Sequence, residues 1–554
     1  MEQITERIGA MTVRDASVSH RDWYIVAHGK KTQLYKFTPR GGPSSKDDEC
    51  LLVWEETGVA HCCPTHGGDR VCINRAGSSR LEVIDLLTRS VLTTIPLPAD
   101  CALSGLLFSP KDNYLVVHTA WSETNNNNLV IYRIDGAKAT IVFSIPYSKS
   151  YIVKRYPFWT PCETYCALRV NNDLIVWKNG DFAPEGSVGK ISLSSENENT
   201  HSFPTNSVFS ISPVCYFVFI ELFVPQIVTQ NKSGTCFLAM FSPNHQKFAN
   251  GLVKIFSVED LANPVYENLF TSAEEGEFFW SNRGTTAILR TFTNNVKGLS
   301  SYYGGNGLYL LQPAKGKHRT VMEPTEGQAH DVSWSKTAND ILIVKGARPA
   351  ELDMYDGNSG SKLLTFGRNN RNTIRRDPFD RFILVGGFGN LNGEIDIWDL
   401  KNRCKIAQTK SDCAVFCDFA PDGRYFVTAT TVPRMRVNNC FKVFSYSGKL
   451  VSQIDFDELY HVYLCAPGRV FTERDPSPGA CTVQPTVKKS VYRPPGSRSD
   501  GAKAAAFLRM DVQTMVATPV AKKPAAVPKG PPGADLTLLN AAAKVSRKKK
   551  NQSG

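Results

Sequence analysis

The stretches Glu394-Ile-Asp-Ile-Trp-Asp-Leu and, one unit later, Phe441-Lys-Val-Phe-Ser-Tyr decide the fold. Apolar and polar residues alternate in both, which is the period of a half-buried strand. Between them lies Asp418-Phe-Ala-Pro-Asp-Gly-Arg, an apolar strand ending in an aromatic residue, then a small residue, a proline and a polar turn. The same sentence of residues recurs outward along the chain. Leu106-Leu-Phe-Ser-Pro-Lys-Asp-Asn, Phe278-Phe-Trp-Ser-Asn-Arg-Gly and Val332-Ser-Trp-Ser-Lys open other units, and Leu129-Val-Ile-Tyr-Arg-Ile-Asp and Leu252-Val-Lys-Ile-Phe-Ser-Val are their alternating strands. A repeat of roughly 40–50 residues built from four short strands predicts an all-β, WD-repeat-like β-propeller. One such sheet cannot bury both faces; stacking sheets radially does so, and closing the ring removes the free ends. The aromatic residue before the turn would fill the gap between blades.

Units placed near 16–38, 60–98, 104–147, 155–195, 205–260, 275–312, 328–366, 372–410 and 413–456 predict nine blades within a propeller spanning 1–470, with His461 to Val470 available as a closing strand. Blade five is interrupted. Ser212-Pro213 should lead directly into Thr235-Cys-Phe-Leu-Ala-Met-Phe, yet Val214 to Gly234 intervenes with an apolar composition that ignores the local alternation. We read 214–234 as an atypical insert. From about Phe471 the pattern stops, and Pro, Gly, Ser, Lys and Ala dominate, so 471–554 is expected to be a disordered basic tail with a short terminal helix over Asp535 to Lys550.

Charge is distributed unevenly. Lys488 to Gly554 holds fourteen Lys and Arg against three Asp, which is +11 of the +12 carried by all 554 residues. A near-neutral body with a cationic arm suits a polyanionic partner. Fifteen cysteines without a Cys-x-x-Cys pair, and no apolar N-terminal segment, predict reduced thiols and a cytoplasmic protein. The most apolar run, Val214 to Val228, contains Glu221 and Pro225 and is too short to span a bilayer, so no membrane association is expected.

Four sets of segments, in order, are more specific: Ala167-Leu-Arg-Val-Asn-Asn-Asp-Leu, Gly386-Gly-Phe-Gly-Asn-Leu-Asn-Gly-Glu-Ile-Asp-Ile-Trp-Asp-Leu-Lys-Asn, Pro433-Arg-Met-Arg-Val-Asn-Asn-Cys-Phe-Lys and Tyr492-Arg-Pro-Pro-Gly-Ser-Arg. Together they resemble the eukaryotic translation initiation factor 2A family over roughly residues 15 to 498. The resemblance implies a nine-bladed propeller with a C-terminal extension. It also implies a factor that brings initiator methionyl-tRNA to the small ribosomal subunit without GTP, with mRNA a further partner, as a monomer off the ribosome. Two departures stand out. The family's long charged and helical extension is replaced by a short basic tail, and the insert in blade five is unexpected.

Chemistry-bearing motifs are few. Gly386 to Gly393 lacks the Lys-Ser/Thr of a phosphate-binding loop and precedes a strand, so it reads as a tight inter-strand loop. His61-Cys62-Cys63-Pro-Thr-His66, Cys162-x-x-x-Cys166 and Cys413-x-x-x-Cys417 do not match structural zinc spacing. No metal, cofactor or catalytic set is expected, and no enzymatic activity.

The basic residues are more informative. In a propeller, loops joining a blade's last strand to the next blade share a face with loops joining second and third strands. Arg368 and Arg371 before blade eight, and Arg434, Arg436, Asn438 and Asn439 within blade nine, should therefore meet on one face beside the Gly386–Gly393 loop. Guanidinium groups engage phosphates bidentately and Asn donates to phosphate or sugar oxygens. With Lys442, Arg493, Arg547, Lys548, Lys549 and Lys550 these form the candidate RNA- and ribosome-binding set. Solvated charge with turn-forming Asn is the alternative, and a protein-interaction scaffold with a basic targeting tail is the alternative function. Arg376 occupies the slot filled elsewhere by Phe108, Trp334 or Phe419, either as a buried ion-paired cation or as part of the patch.

Overall fold

Among the described residues nine sheets form the propeller, eight of them four-stranded and one five-stranded. The computed structural model describes residues 21–471, except 40–47, 99–100, 123–124, 126, 147–156, 172, 193–207, 212–234, 245–249, 295–303, 433 and 469–470, and beyond these residues 486–487. Strands a to d of each blade run from its innermost edge to its outermost edge. Blade one takes strands b, c and d from Trp23–Gly29, Lys31–Thr38 and Glu49–Thr57, and its innermost strand from Leu459–Cys465 near the other end of the propeller. Tyr24 lies opposite Cys465 and His28 opposite His461, so the ring is closed by a ladder joining its two ends. The expected closing strand is therefore real.

Outer strands run further than the alternation suggested. Blade one ends at Thr57, blade five at Phe270 and blade six at Met322. The outermost strand packs on only part of its surface, so its residues need no alternating apolar pattern. Leu269 on the outer strand of blade five is 52% exposed.

The aromatic slot before the a–b turn packs between blades as expected. Phe108 joins Cys72, Leu81 and Val83 of blade two with Leu115 and Val117 of its own blade. Trp334 joins Ile288 and Leu308 of blade six and donates its indole N–H to the Phe279 carbonyl at 2.8 Å. Arg376 in the same slot is a buried cation: its guanidinium meets Asp380 at 2.6 Å and Asp340 of blade seven at 3.2 Å. The carboxylates replace the apolar contact that an aromatic ring would make.

The small residue after the aromatic one shapes the turn. Ser109 Oγ accepts the Tyr114 N–H at 2.9 Å, Thr160 Oγ1 that of Tyr165 at 3.0 Å, and Asp377 Oδ1 that of Phe382 at 2.7 Å. The fourth residue of these turns has a positive φ. Gly fills it at Gly68, Gly284 and Gly423, but Asp112, Glu163 and Asp380 fill it elsewhere. Left-handed backbone costs a side-chain-bearing residue about 1–2 kcal/mol. These carboxylates recover it by reaching into a neighbouring blade. Asp112 accepts the N–H groups of His66 and Gly67 at 2.8 Å each, Glu163 that of Lys111 at 2.6 Å, and Asp380 that of Lys336 at 3.0 Å. Hydrogen bonds to a charged group contribute about 1.5–3 kcal/mol, so the latch outweighs the strain and ties turn to turn between blades two and three, three and four, and seven and eight.

The atypical insert of blade five lies outside the described residues. Its flanks are not disturbed: Val208–Ile211 and Phe237–Asn244 pair in register, Ile211 opposite Leu238. Blade seven carries a fifth strand, Thr486–Val487, on its outer edge, with Leu364 opposite Val487 and Thr365 opposite Thr486.

Candidate nucleic-acid docking face

Loops joining strands b to c, and strand d to the next blade, emerge on what we term the upper face. The a–b and c–d turns emerge on the lower face. The upper loops of blades seven to nine are braced against one another. Gly387 N donates to Glu394 O, Gly393 N to Gly387 O, and Ser411 N to Gly393 O, at 2.9, 2.9 and 2.8 Å. The glycines are there for close approach: a Cβ on Gly393 would lie 2.0 Å from the Ser411 carbonyl oxygen, and one on Gly387 2.3 Å from that of Asn370. The Gly386–Gly393 segment is thus a tight inter-strand loop followed by strand Glu394–Asp399.

Arg434 is exposed and donates to Asn390 Oδ1, tying the loop of blade nine to that of blade eight. Arg436 and Asn438 are exposed, and Asn438 takes the left-handed conformation at φ 56°. Asn439 is buried. Its amide donates to the Met435 carbonyl at 2.8 Å and accepts the Leu459 N–H at 2.9 Å, fixing the arginine loop to the closing strand. Asn439 therefore shapes the face rather than presenting a contact.

The arginine run before blade eight divides in the same way. Arg368 is exposed and lies 3.6 Å from Glu351. Arg371, expected on the surface, is buried and ion-paired at 3.2 Å to Asp396 of strand c, a carboxylate that Lys405 also meets at 2.6 Å. Arg375 and Arg376 are held by Asp331, at 3.5 Å, and by Asp340 and Asp380. Lys442 is half-buried within strand Asn439–Ser445, away from the loops. Arg493, Arg547, Lys548, Lys549 and Lys550 lie outside the described residues.

One exposed arginine escaped the sequence reading. Arg348 sits in the b–c loop of blade seven, the position that singled out the loops of blades eight and nine. Applying the same rule to Gly346-Ala-Arg-Pro would have found it. Arg348, Arg434 and Arg436 have no carboxylate ion pair among the described residues.

The other motifs are structural. His66 Nδ1 lies 3.2 Å from Asp112, whose hydrogen bond raises the imidazole pKa. Burial pushes the Cys63 thiol up to about 11 and raises that of Cys62 further. Among the described residues no group of three or more His, Cys, Asp or Glu is placed to hold a metal, and no helix is long and apolar enough to cross a membrane.

The fold and this face define a WD-type β-propeller with a braced cationic loop cluster. The model of the family "Eukaryotic translation initiation factor eIF2A" matches residues 268–462. Proteins named eukaryotic translation initiation factor 2A are similar to the chain. That of Dictyostelium discoideum is 30% identical over 64% of this chain and 53% of its own length, and that of Drosophila melanogaster 28% over 71% and 59%. A solved structure described as a crystal structure of the eukaryotic initiation factor covers 80% of this chain and 98% of its own, at 22% identity and a TM-score of 0.61, and supports the fold. These matches support a relationship of the chain to the eukaryotic translation initiation factor 2A family. It spans a little over half the length of these relatives.

Proposed function

We propose that the chain is a translation initiation factor that docks on the small ribosomal subunit through the upper face of blades seven to nine and promotes GTP-independent delivery of initiator methionyl-tRNA. The observation that carries the docking face is the pairing of exposure with bracing. Arg434 and Arg436 project from a loop fixed at one side by Asn390 and at the other by Asn439. A held guanidinium loses little freedom when it meets a phosphate, which favours binding. The family relationship supports translation initiation and the choice of partners; mRNA is a further partner on the same grounds. The mechanism is positioning, with no chemical step.

The test is cosedimentation of the full chain with purified small subunits at two salt concentrations, beside a thermal melt. Arg434→Glu with Arg436→Glu should leave folding intact and weaken binding about tenfold or more, since each charge-assisted bond contributes about 1.5–3 kcal/mol. Equal binding by the folded double variant would overturn the docking face. The scaffold reading has one observation in its favour: Val437, between the two arginines, is 61% exposed. Loss of binding in Val437→Asp but not in the arginine variant would favour a protein partner.

A further inference from the structure

The lower, outer corner of blade six carries Pro313-Ala-Lys-Gly-Lys-His-Arg-Thr, with three cations and no acid. Lys315 ends a short turn, and Lys317 and Arg319 lie on the outer strand Lys317–Met322, all exposed. His318 between them faces the other way, its Nδ1 3.1 Å from the Tyr266 hydroxyl of blade five. Lys317 and Arg319 thus share one side of the strand, about 6.6 Å apart along it. That is comparable to the spacing of consecutive phosphates along an extended nucleic-acid strand. Arg319 is held in place, donating to the Ser359 carbonyl in the c–d turn of blade seven. Asp356 in that turn is committed to its own backbone, accepting the Ser359 N–H at 2.9 Å and the Asn358 N–H at 3.3 Å. None of the three cations has a carboxylate ion pair among the described residues.

Like charges gathered at one place, as those of Lys315, Lys317 and Arg319 are, are favourable only when an anion lies among them.

We propose that Lys315, Lys317 and Arg319 form a second RNA contact, on the lower face, which takes the phosphate backbone of a single strand without reading its sequence. It rests on the docking-face reading only in taking RNA as the partner. An acidic peptide fits less well, because no exposed apolar anchor lies between the cations.

The experiment measures binding of the full chain to a short polyuridine RNA across several salt concentrations. Lys317→Glu with Arg319→Glu should weaken binding about tenfold at low salt and reduce the salt slope by about 1.4, two single-strand contacts at about 0.7 each. Lys315→Glu, in an exposed turn, repeats the test with one charge if the double variant fails to fold. Lys138→Glu, exposed in blade three, should bind as the parent does. An unchanged affinity and slope in the folded corner variants overturns the proposal, as does displacement of the RNA by polyglutamate as effectively as by RNA itself. If the corner variants lose polyuridine binding while Arg434→Glu with Arg436→Glu keeps small-subunit binding, the corner stands and the docking face falls.

Discussion

Arg376 shows how much one position can carry. It stands where other blades place an aromatic ring, and it is held by Asp340 and Asp380. Removing one partner of a buried pair costs about 3–5 kcal/mol because the other charge is left uncompensated. Arg376→Ala should therefore lower stability by about that amount in urea unfolding. A loss below about 1 kcal/mol would mean that water already serves the two carboxylates. The sequence offered both a buried pair and a surface cation here; Asp380 lies in the next turn, but the second partner, Asp340, comes from another blade. Arg371 teaches the same lesson. Its carboxylate, Asp396, lies on strand c of blade eight, too far along the chain to be assigned by spacing.

At the scale of the element, the closing strand has a pH signature. His28 sits opposite His461 in the closure ladder, their rings stacked with centroids 6.5 Å apart. Burial, then His461 and His61, lower the His28 pKa to about 4, and burial lowers that of His461. The unfolded chain takes up these protons near the ordinary value of about 6.5. The closure's contribution is therefore full above that pH and is lost as pH falls toward 4. Asp377, raised to about 6 by burial, and His66, raised by Asp112, act in the opposite sense. A comparison with His28→Gln cancels them: the melting temperature of the parent should fall more steeply between these pH values than that of the variant. Parallel curves would show that His28 does not titrate with folding. The insert belongs to this scale too. Strands Val208–Ile211 and Phe237–Asn244 already pair on either side of it, so deleting 214–234 should leave the melting temperature unchanged or raised. Unfolding on deletion would show that the insert supplies strands of its own.

For the whole molecule, the prediction concerns the basic tail. Its fourteen cations act through counterion release, which is largely independent of sequence and weakens steeply with salt. A chain ending at Val487 should bind RNA more weakly and with a flatter salt slope, while the propeller melts as before. An unchanged slope would place the tail away from the RNA.

The repeated strand–turn–strand pattern determined the all-β propeller, the ring of blades and the closing strand, because alternation and turn residues are local properties that a chain displays along itself. The same pattern placed the arginine loops on one face, since strand order fixes which loops emerge together. Tertiary structure alone decided which cations stay free. Arg371, Arg375 and Arg376 are claimed by Asp396, Asp331 and Asp340 from other strands or blades, with Asp380 of the adjoining turn, whereas Arg348, Arg434 and Arg436 are left at the surface. The corner at Lys315, Lys317 and Arg319 was invisible for the same reason: its chain order shows a short basic run, and only the packing of blade six against blade seven shows that Arg319 is fixed there.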